Sequence, residues 1–249
     1  MSALLSIDNV TRAFGGLRAV DGASFDVAPG EVLGLIGPNG AGKTTLINVI
    51  TGVHPATSGK VVFDGRDITR MKSHQIAKMG LSRTFQIVQP FPKMTVLENV
   101  AAGALFGGQA ANIADASAAA MEQLRFTGLA QVAHNPALSL TLAQRKRLEF
   151  AKGLAMKPRI LMLDEVNAGL NSTEVEEALT MIRKVAESGV SIILIEHLLK
   201  VVLSVSNRIV VLHHGKLIAE GAPQAVLRDP AVVEAYLGAK YAARYGGVA

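Results

Sequence analysis

The stretch Gly37-Pro38-Asn39-Gly40-Ala41-Gly42-Lys43-Thr44, followed by Thr45, decides the reading of this chain. It satisfies the pattern G-x-x-x-x-G-K-[ST] at every required position. Before it lies Val32-Leu33-Gly34-Leu35-Ile36, an apolar run of strand length, and after it Thr45-Leu46-Ile47-Asn48-Val49-Ile50 opens a helix. That strand–loop–helix context separates a phosphate-binding loop from an ordinary glycine-rich turn. Glycines let several backbone N–H groups point at one anion, and the new helix aims its positive end at the same place. In such a loop Lys43 reaches the β- and γ-phosphates of a nucleotide, and the Thr44 hydroxyl holds Mg²⁺.

The length of 249 residues allows one large domain, or one domain with an insertion, and 49% hydrophobic residues supply a substantial core. There is no cysteine, which excludes a disulfide framework and a thiolate metal site. Met1 to Val10 lacks the basic-then-apolar layout of a signal peptide. No run of about 18 apolar residues occurs, so no membrane span is expected. The Ala-rich stretch from Ala101 to Ala120 comes closest; Gln109, Asn112 and Asp115 interrupt it, and it reads as loop and helix. The net charge is +5, but Lys and Arg are scattered, with no basic run interleaved with aromatics. Nucleic acid is therefore not expected as a partner, whereas cytoplasmic loops of a membrane protein and anionic lipid suit a basic chain.

Outward from the loop, the pattern is α/β. Leu5, Ile7 and Asn9, then Phe25, Asp26 and Val27, alternate as antiparallel strands do. Pro29-Gly30 marks a turn, and Val61-Val62-Phe63 before Asp64-Gly65 reads as a strand and a tight turn. From about Gln86 to Gln144 strand signals fade and helical patterns dominate, as in an inserted helical subdomain. Ile160-Leu161-Met162-Leu163 and Ile192-Ile193-Leu194-Ile195 are buried strands by their continuous apolar runs. Between them Val175, Ala178, Leu179, Ile182 and Val185 follow helical spacing, with Gly189 where the helix should stop. Residues 209–219 read as a hairpin turning at His213-His214-Gly215-Lys216.

Five further residues carry candidate chemistry. Leu163-Asp164-Glu165 places two carboxylates at the end of a buried strand, where they are costly without a cation or a reaction nearby. Asp164 suits Mg²⁺, and Glu165 suits a group that orients a water and takes its proton; solvated acids at a strand end are the plainer alternative. His197, after a buried strand, can hydrogen-bond a γ-phosphate and sense its presence, or be structural. Gln86, in Arg83-Thr84-Phe85-Gln86, stands at the boundary of the insertion or is an ordinary surface residue. Phe14, in Arg12-Ala13-Phe14-Gly15-Gly16, can stack on a nucleobase or sit in the core.

Taken in order, phosphate loop, Gln86, helical insertion, Asp164-Glu165 and His197 resemble an ATP-binding cassette (ABC) transporter nucleotide-binding subunit over essentially the whole chain. The chain is most similar to the ATPase subunits of branched-chain amino acid importers. Phe14 to Val20, Gly80 to Gln86, Met94 to Val100 and Tyr236-Leu237-Gly238 carry the closer match. The resemblance implies a P-loop NTPase core of ABC type with an antiparallel β subdomain and a helical insertion at about 87–145. It implies ATP and Mg²⁺, with Phe14 stacked on the base and Gly37 to Thr45 around the phosphates. Thr44, Gln86 and Asp164 would lie at the metal, Gln86 would also sense the γ-phosphate as part of the catalytic set, Glu165 would be the catalytic base, and His197 the switch histidine.

The implied partners are two transmembrane permease subunits, a second ABC ATPase subunit and, indirectly, a solute-binding protein. The implied location is peripheral, on the cytoplasmic face of the inner (plasma) membrane. ATPases of lipid export and non-transport ABC proteins share the same motifs.

The family signature Leu-Ser-x-Gly-Gln reads here Leu140-Thr141-Leu142-Ala143-Gln144. In the family this segment reaches the partner subunit's nucleotide, so Thr141, Ala143 and Gln144 join the expected nucleotide contacts. Ala143 replaces a glycine, and a Cβ restricts φ and adds bulk there. The site that this segment completes is expected to be the weaker one. Thr141-x-x-Gln144 still makes a capping box, so the helix start should survive. Val166 replaces a family Pro, Asn171 a frequent Asp, and Leu198 another Asp.

Overall fold

Alternation of apolar and polar residues makes the N-terminal segment a sheet with one buried face, while the all-apolar strands are buried on both. The computed structural model describes residues 3–84, 90–196 and 199–237. The elements run β1 (Leu5–Phe14), β2 (Leu17–Val27), β3 (Val32–Ile36), α1 (Lys43–Ile50), β4 (Ser58–Phe63), β5 (Arg66–Asp67), α2 (Ser73–Lys78) and β6 (Leu81–Arg83). Then come α3 (Val96–Phe106), α4 (Ile113–Phe126), α5 (Leu142–Ala155), β7 (Ile160–Asp164), α6 (Ser172–Glu187) and β8 (Ser191–Ile195). The chain closes with α7 (Leu199–Val205), β9 (Arg208–His213), β10 (Lys216–Gly221), α8 (Pro223–Leu227) and α9 (Pro230–Leu237). Two compact units divide it: Met1–Ser73 with Ile193–Ala249, and His74–Ile192.

In the first unit an antiparallel sheet has the order β2-β1-β4-β5. Its Asp64-Gly65 turn has φ of 51° and 73°, the two left-handed residues of a type I′ hairpin. The β9–β10 hairpin turns the same way at His214-Gly215, with φ of 47° and 79°. Strand β9 pairs antiparallel with β10 and parallel with β3, Leu33 opposite Arg208 and Ile36 opposite Val211. The β3–β9 start is set by Asn207, whose side-chain oxygen accepts from Val32 N–H at 2.8 Å while its own N–H donates to Val32 at 2.8 Å. Arg208 beside it grips Glu31 through two nitrogens at 2.8 and 3.1 Å and also meets Glu220. Glu31, against partial burial, pushes the Arg208 pKa up from its ordinary value. Ile36, Val202, Ile209, Val211, Val226 and Val232 form an apolar cluster of this unit.

The second unit holds β6 parallel to β7, Leu81 opposite Ile160, and the helical packing of α3, α4 and α5. Val96, Val100, Ala120, Leu124, Leu148 and Ala151 are buried in one cluster among these helices. The expectation of an insertion at about 87–145 concerns residues of this unit. The packing continues past residue 145, because α5 adds Leu148, Ala151 and Ala155 to the same cluster. The Ala-rich stretch divides as expected: α3 ends at Phe106 and α4 begins at Ile113, capped by Asn112. Helix α6 buries Leu179, Ile182 and Val185 and stops at Gly189, φ 89°. Among the described residues no helix is long and apolar enough to cross a membrane.

Asn99 of α3 is fully buried and ties down the approach to its own helix. Its Oδ1 accepts from Phe91 N–H at 2.8 Å, and its amide nitrogen donates to the Phe91 and Thr95 carbonyls at 3.1 and 2.9 Å. Asn99→Ala leaves the Phe91 N–H unpaired, while the Phe91 and Thr95 carbonyls keep the bonds from Met94 N–H and from the N–H of residue 99, and the expected loss of stability is about 1–3 kcal/mol. Urea unfolding checks this; a midpoint equal to that of the unaltered chain would show that water replaces the amide at no cost.

Candidate functional site

The phosphate loop is shaped by backbone, and at Gly37 and Gly42 its neighbours leave no room for a side chain. Strand β3 is fully buried, so its end at Ile36 delivers the loop from a rigid position. A Cβ on Gly37 would sit 2.0 Å from the Leu212 carbonyl oxygen. Gly42 caps α1 in the left-handed region at φ 104°, and a Cβ there would sit 2.2 Å from the Ala19 carbonyl oxygen. Both positions therefore require glycine. The β9–β10 turn braces the loop: Gly215 N–H donates to the Ala41 carbonyl at 2.9 Å, and the Gly215 carbonyl accepts from Asp21 N–H at 2.8 Å. Within the loop Ala41 N–H closes onto Pro38 at 3.1 Å, leaving Asn39 and Gly40 exposed.

Lys43 is buried, and its ammonium donates to the Gly37 and Pro38 carbonyls at 2.6 and 3.1 Å. Those carbonyls hold the charge across the loop. The Thr44 side chain is exposed on the first turn of α1, and Thr45 is half-buried. The Tyr236 hydroxyl lies beside the Gly37 backbone without the geometry of a hydrogen bond. Burial pushes this phenol up to about 12, only partly opposed by the Gly37 backbone. Tyr236 thus stays protonated at physiological pH and cannot serve there as a base.

Phe14, at the end of β1, is 43% exposed, so the core alternative left open by the sequence is excluded. The Arg12 guanidinium lies 4.4 Å from its ring centroid, and His54 meets the ring edge-on at 5.7 Å. A ring held in place yet open to solvent suits stacking on a flat ligand. Phe14→Ala is expected to raise the ATP dissociation constant by roughly 5- to 150-fold, the span of 1–3 kcal/mol for one stacked base. Calorimetric titration with ATP and with GTP measures it; an unchanged constant would leave Phe14 a bystander.

In the second unit Asp164 ends β7 and is 3% exposed, whereas Glu165 is half-buried in the turn that follows, at φ 49°. Glu165 thus leaves the pleat of β7 and enters the loop. Sequence reading missed the partner of Asp164. Arg83, at the end of β6, places a guanidinium nitrogen 2.6 Å from the Asp164 carboxylate, with both side chains buried. Thr84 continues the pairing: its N–H donates to the Met162 carbonyl at 2.9 Å, and its hydroxyl accepts from Asp164 N–H at 3.3 Å. The Arg-Thr dipeptide before Gln86 was visible, but nothing local tied it to an aspartate 81 positions on. Gln86 and His197 themselves lie outside the described residues.

The 140–144 segment forms the expected helix start. The Thr141 side chain accepts from Gln144 N–H at 3.3 Å, and the Gln144 side chain accepts from Thr141 N–H at 3.0 Å. Thr141 is exposed as N-cap, and the dipole of the 14-residue α5 ends there. Ala143 lies on the first turn, and it is not among the described residues with positive φ. The expected φ restriction is therefore corrected: a helical position suits Ala as well as Gly, and only the bulk of the Cβ remains. Asn171 caps α6 in a second capping box, with Glu174 N–H donating to its side chain at 3.0 Å, which is a role Asp would fill equally.

A family model described as ABC transporter matches residues 20–168, and one described as branched-chain amino acid ATP-binding cassette transporter matches residues 216–242. The chain belongs to the ABC transporter family. The high-affinity branched-chain amino acid transport ATP-binding protein BraF of Pseudomonas aeruginosa is 39% identical, over 94% of this chain and 98% of that one. The corresponding Escherichia coli K12 protein, LivG, is 37% identical over the same shares. The crystal structure of an ABC transporter cassette in its ADP conformation superposes with a TM-score of 0.86 at 33% identity, over 96% of this chain and all of that one. This ABC chain has the fold of those cassettes, binds nucleotide and is an ATPase.

The Arg83–Asp164 pair has a measurable consequence for this ABC ATPase. Arg83→Ala leaves a buried carboxylate without its cation, which typically costs about 3–5 kcal/mol. Denaturant unfolding of the nucleotide-free variant tests it, and a midpoint matching that of the parent chain would mean that another group already neutralises Asp164.

Proposed function

We propose that this chain is the ATP-hydrolysing subunit of a membrane importer for branched-chain amino acids or a related small solute. The match of residues 216–242 carries the reading, because that segment distinguishes one branch among cassettes that share the phosphate loop. In this proposal the whole chain acts as one ABC nucleotide-binding domain with a helical insertion at about 87–145. It pairs with a second ABC ATPase subunit and docks on two permease subunits at the cytoplasmic face of the membrane, and a solute-binding protein delivers the cargo. ATP closes the pair of ATPases, and hydrolysis reopens it.

The residues divide the chemistry by type. The N–H groups between Gly37 and Thr45 receive the phosphates, and Lys43 exchanges loop carbonyls for phosphate oxygens, a stronger charge-assisted contact. Phe14 stacks on the base. Thr141 and Gln144 present the start of α5 to the partner's nucleotide, with Ala143 on the contacting turn. Among the described residues no cluster of three His, Cys, Asp or Glu could hold a metal alone. By residue type, Thr44, Asp164 and Gln86 would suit an ion that arrives with the nucleotide and keeps phosphate and water ligands, as Mg²⁺ does. When bound, that ion neutralises phosphate charge. Glu165 takes the proton of the attacking water, Asp164 supplies negative charge, and His197 reads the γ-phosphate.

Glu165→Gln should bind ATP normally yet hydrolyse it about 10²–10⁴-fold more slowly, since an amide cannot accept the proton. Lys43→Ala should weaken ATP binding and turnover together. Both are measured by ATP titration and phosphate release, and leucine uptake into vesicles carrying the permeases should fall with ATPase rate. Undiminished hydrolysis in Glu165→Gln would sink the base assignment. Solute export or lipid movement by the reconstituted complex, in place of uptake, would favour the lipid-export reading.

A further inference from the structure

Glu165 adopts a backbone conformation that a residue with a Cβ seldom holds. Its φ of 49° lies in the left-handed region, and such residues persist where their surroundings over-determine them. The carbonyl of this residue is where the surroundings act. The Lys146 ammonium donates to the Glu165 carbonyl oxygen at 3.0 Å, and Ala168 N–H closes a turn onto the same oxygen at 3.2 Å. Lys146 is only 9% exposed, so water competes weakly for this charge-assisted bond.

The helix that supplies the ammonium gives the bond its meaning. Lys146 stands on α5, one turn beyond the capping box of Thr141 and Gln144. Packing between α5 and the chain after Glu165 leaves only a water-sized gap. This mostly apolar cavity of about 20 Å³ is lined by Ala143, Lys146, Phe150, Val166, Leu170 and Met181. Leu142 approaches Gly169 closely enough that a Cβ on the glycine would come within 2.9 Å of it, but that contact is non-directional. The Lys146 bond is directional. It sets where the Glu165 carbonyl points, and through the same residue's φ and ψ it sets the direction in which the carboxylate leaves the backbone.

We infer that Lys146 is a positioning residue for hydrolysis, tying the helix that begins at the signature segment to the backbone of the catalytic base in the same chain. The inference rests on Glu165 being that base. It also deepens the proposed function. In a head-to-tail pair the signature segment and Glu165 of one chain serve different nucleotides. A displacement of α5 by the partner's nucleotide would then be felt at this chain's own base through the Lys146 hydrogen bond. Methionine keeps the length and apolar stem of Lys146 but donates nothing, and arginine keeps a cationic donor.

The test uses the full chain at saturating Mg-ATP. Lys146→Met should lower kcat about 10- to 100-fold, the scale on which small misplacements of a reacting group act, with KM for ATP and the urea midpoint nearly unchanged. Lys146→Arg should recover most of the rate. In a Glu165→Gln background, followed by slow phosphate release, Lys146→Met should cause no further loss, because no base remains to be positioned. Wild-type turnover in Lys146→Met would overturn the inference. So would an equal fold-loss in the Glu165→Gln background, or a loss that arginine does not rescue and that comes with a lowered urea midpoint. In each of these cases Glu165→Gln alone remains nearly inactive; wild-type turnover in Glu165→Gln alone would instead refute the base assignment beneath it.

Discussion

The close approach of the Leu212 carbonyl to Gly37, and of the Ala19 carbonyl to Gly42, is the constraint on which the nucleotide site depends. A loop that must aim backbone N–H groups at phosphates has to present backbone, not side chains, on its working face. Its opposite face is pressed against two other strands' carbonyls. No Cβ fits between. Glycine at these positions is thus required twice, once for the left-handed turn into α1 and once for the contact behind it. The hairpin turn at His214-Gly215 completes the brace through the bond from Gly215 to Ala41. A strand pair far along the chain thereby holds the phosphate loop in shape before any ligand arrives, which reduces the ordering cost of binding.

Charge is handled by the same logic of early arrangement. Lys43 carries its ammonium on the carbonyls of its own loop, and Asp164 carries its carboxylate against Arg83. In the proposed site each is a group whose ligand would be a phosphate or a cation, and each is held by an internal partner of opposite polarity. Burying either alone would cost several kcal/mol. Binding then becomes an exchange of partners, which keeps the penalty of a bare buried charge out of both states.

The helix starts show how a departure from a family pattern can be absorbed. Ala143 stands where the family has glycine, yet it occupies an ordinary helical turn, and the capping box of Thr141 and Gln144 is formed. Asn171 in place of Asp caps α6 just as well, because an amide oxygen accepts an N–H as a carboxylate does. What these substitutions change is bulk and charge at an exposed surface, not the backbone beneath it. The proposed role of Lys146 makes α5 a mechanical link, since its second turn holds the Glu165 carbonyl.

Local signals made much of this protein legible. The spacing in Gly37 to Thr44, the turns at Asp64-Gly65 and His214-Gly215, the stop at Gly189 and the capping box at Thr141 and Gln144 all depend on residues within a few positions of one another. Each also demands a particular backbone geometry. Asp164 and Glu165 stood out because charge at the end of an apolar strand is expensive wherever it occurs. Tertiary structure alone paired Arg83 with Asp164, set Phe14 at the surface between Arg12 and His54, placed Leu212 behind Gly37 and brought Lys146 to the Glu165 carbonyl. Most of those contacts join segments well separated in the chain, and two end on backbone oxygens. Every residue has such an oxygen, so the sequence carries no mark of which one will be used, and only the packing of strands and helices makes the choice.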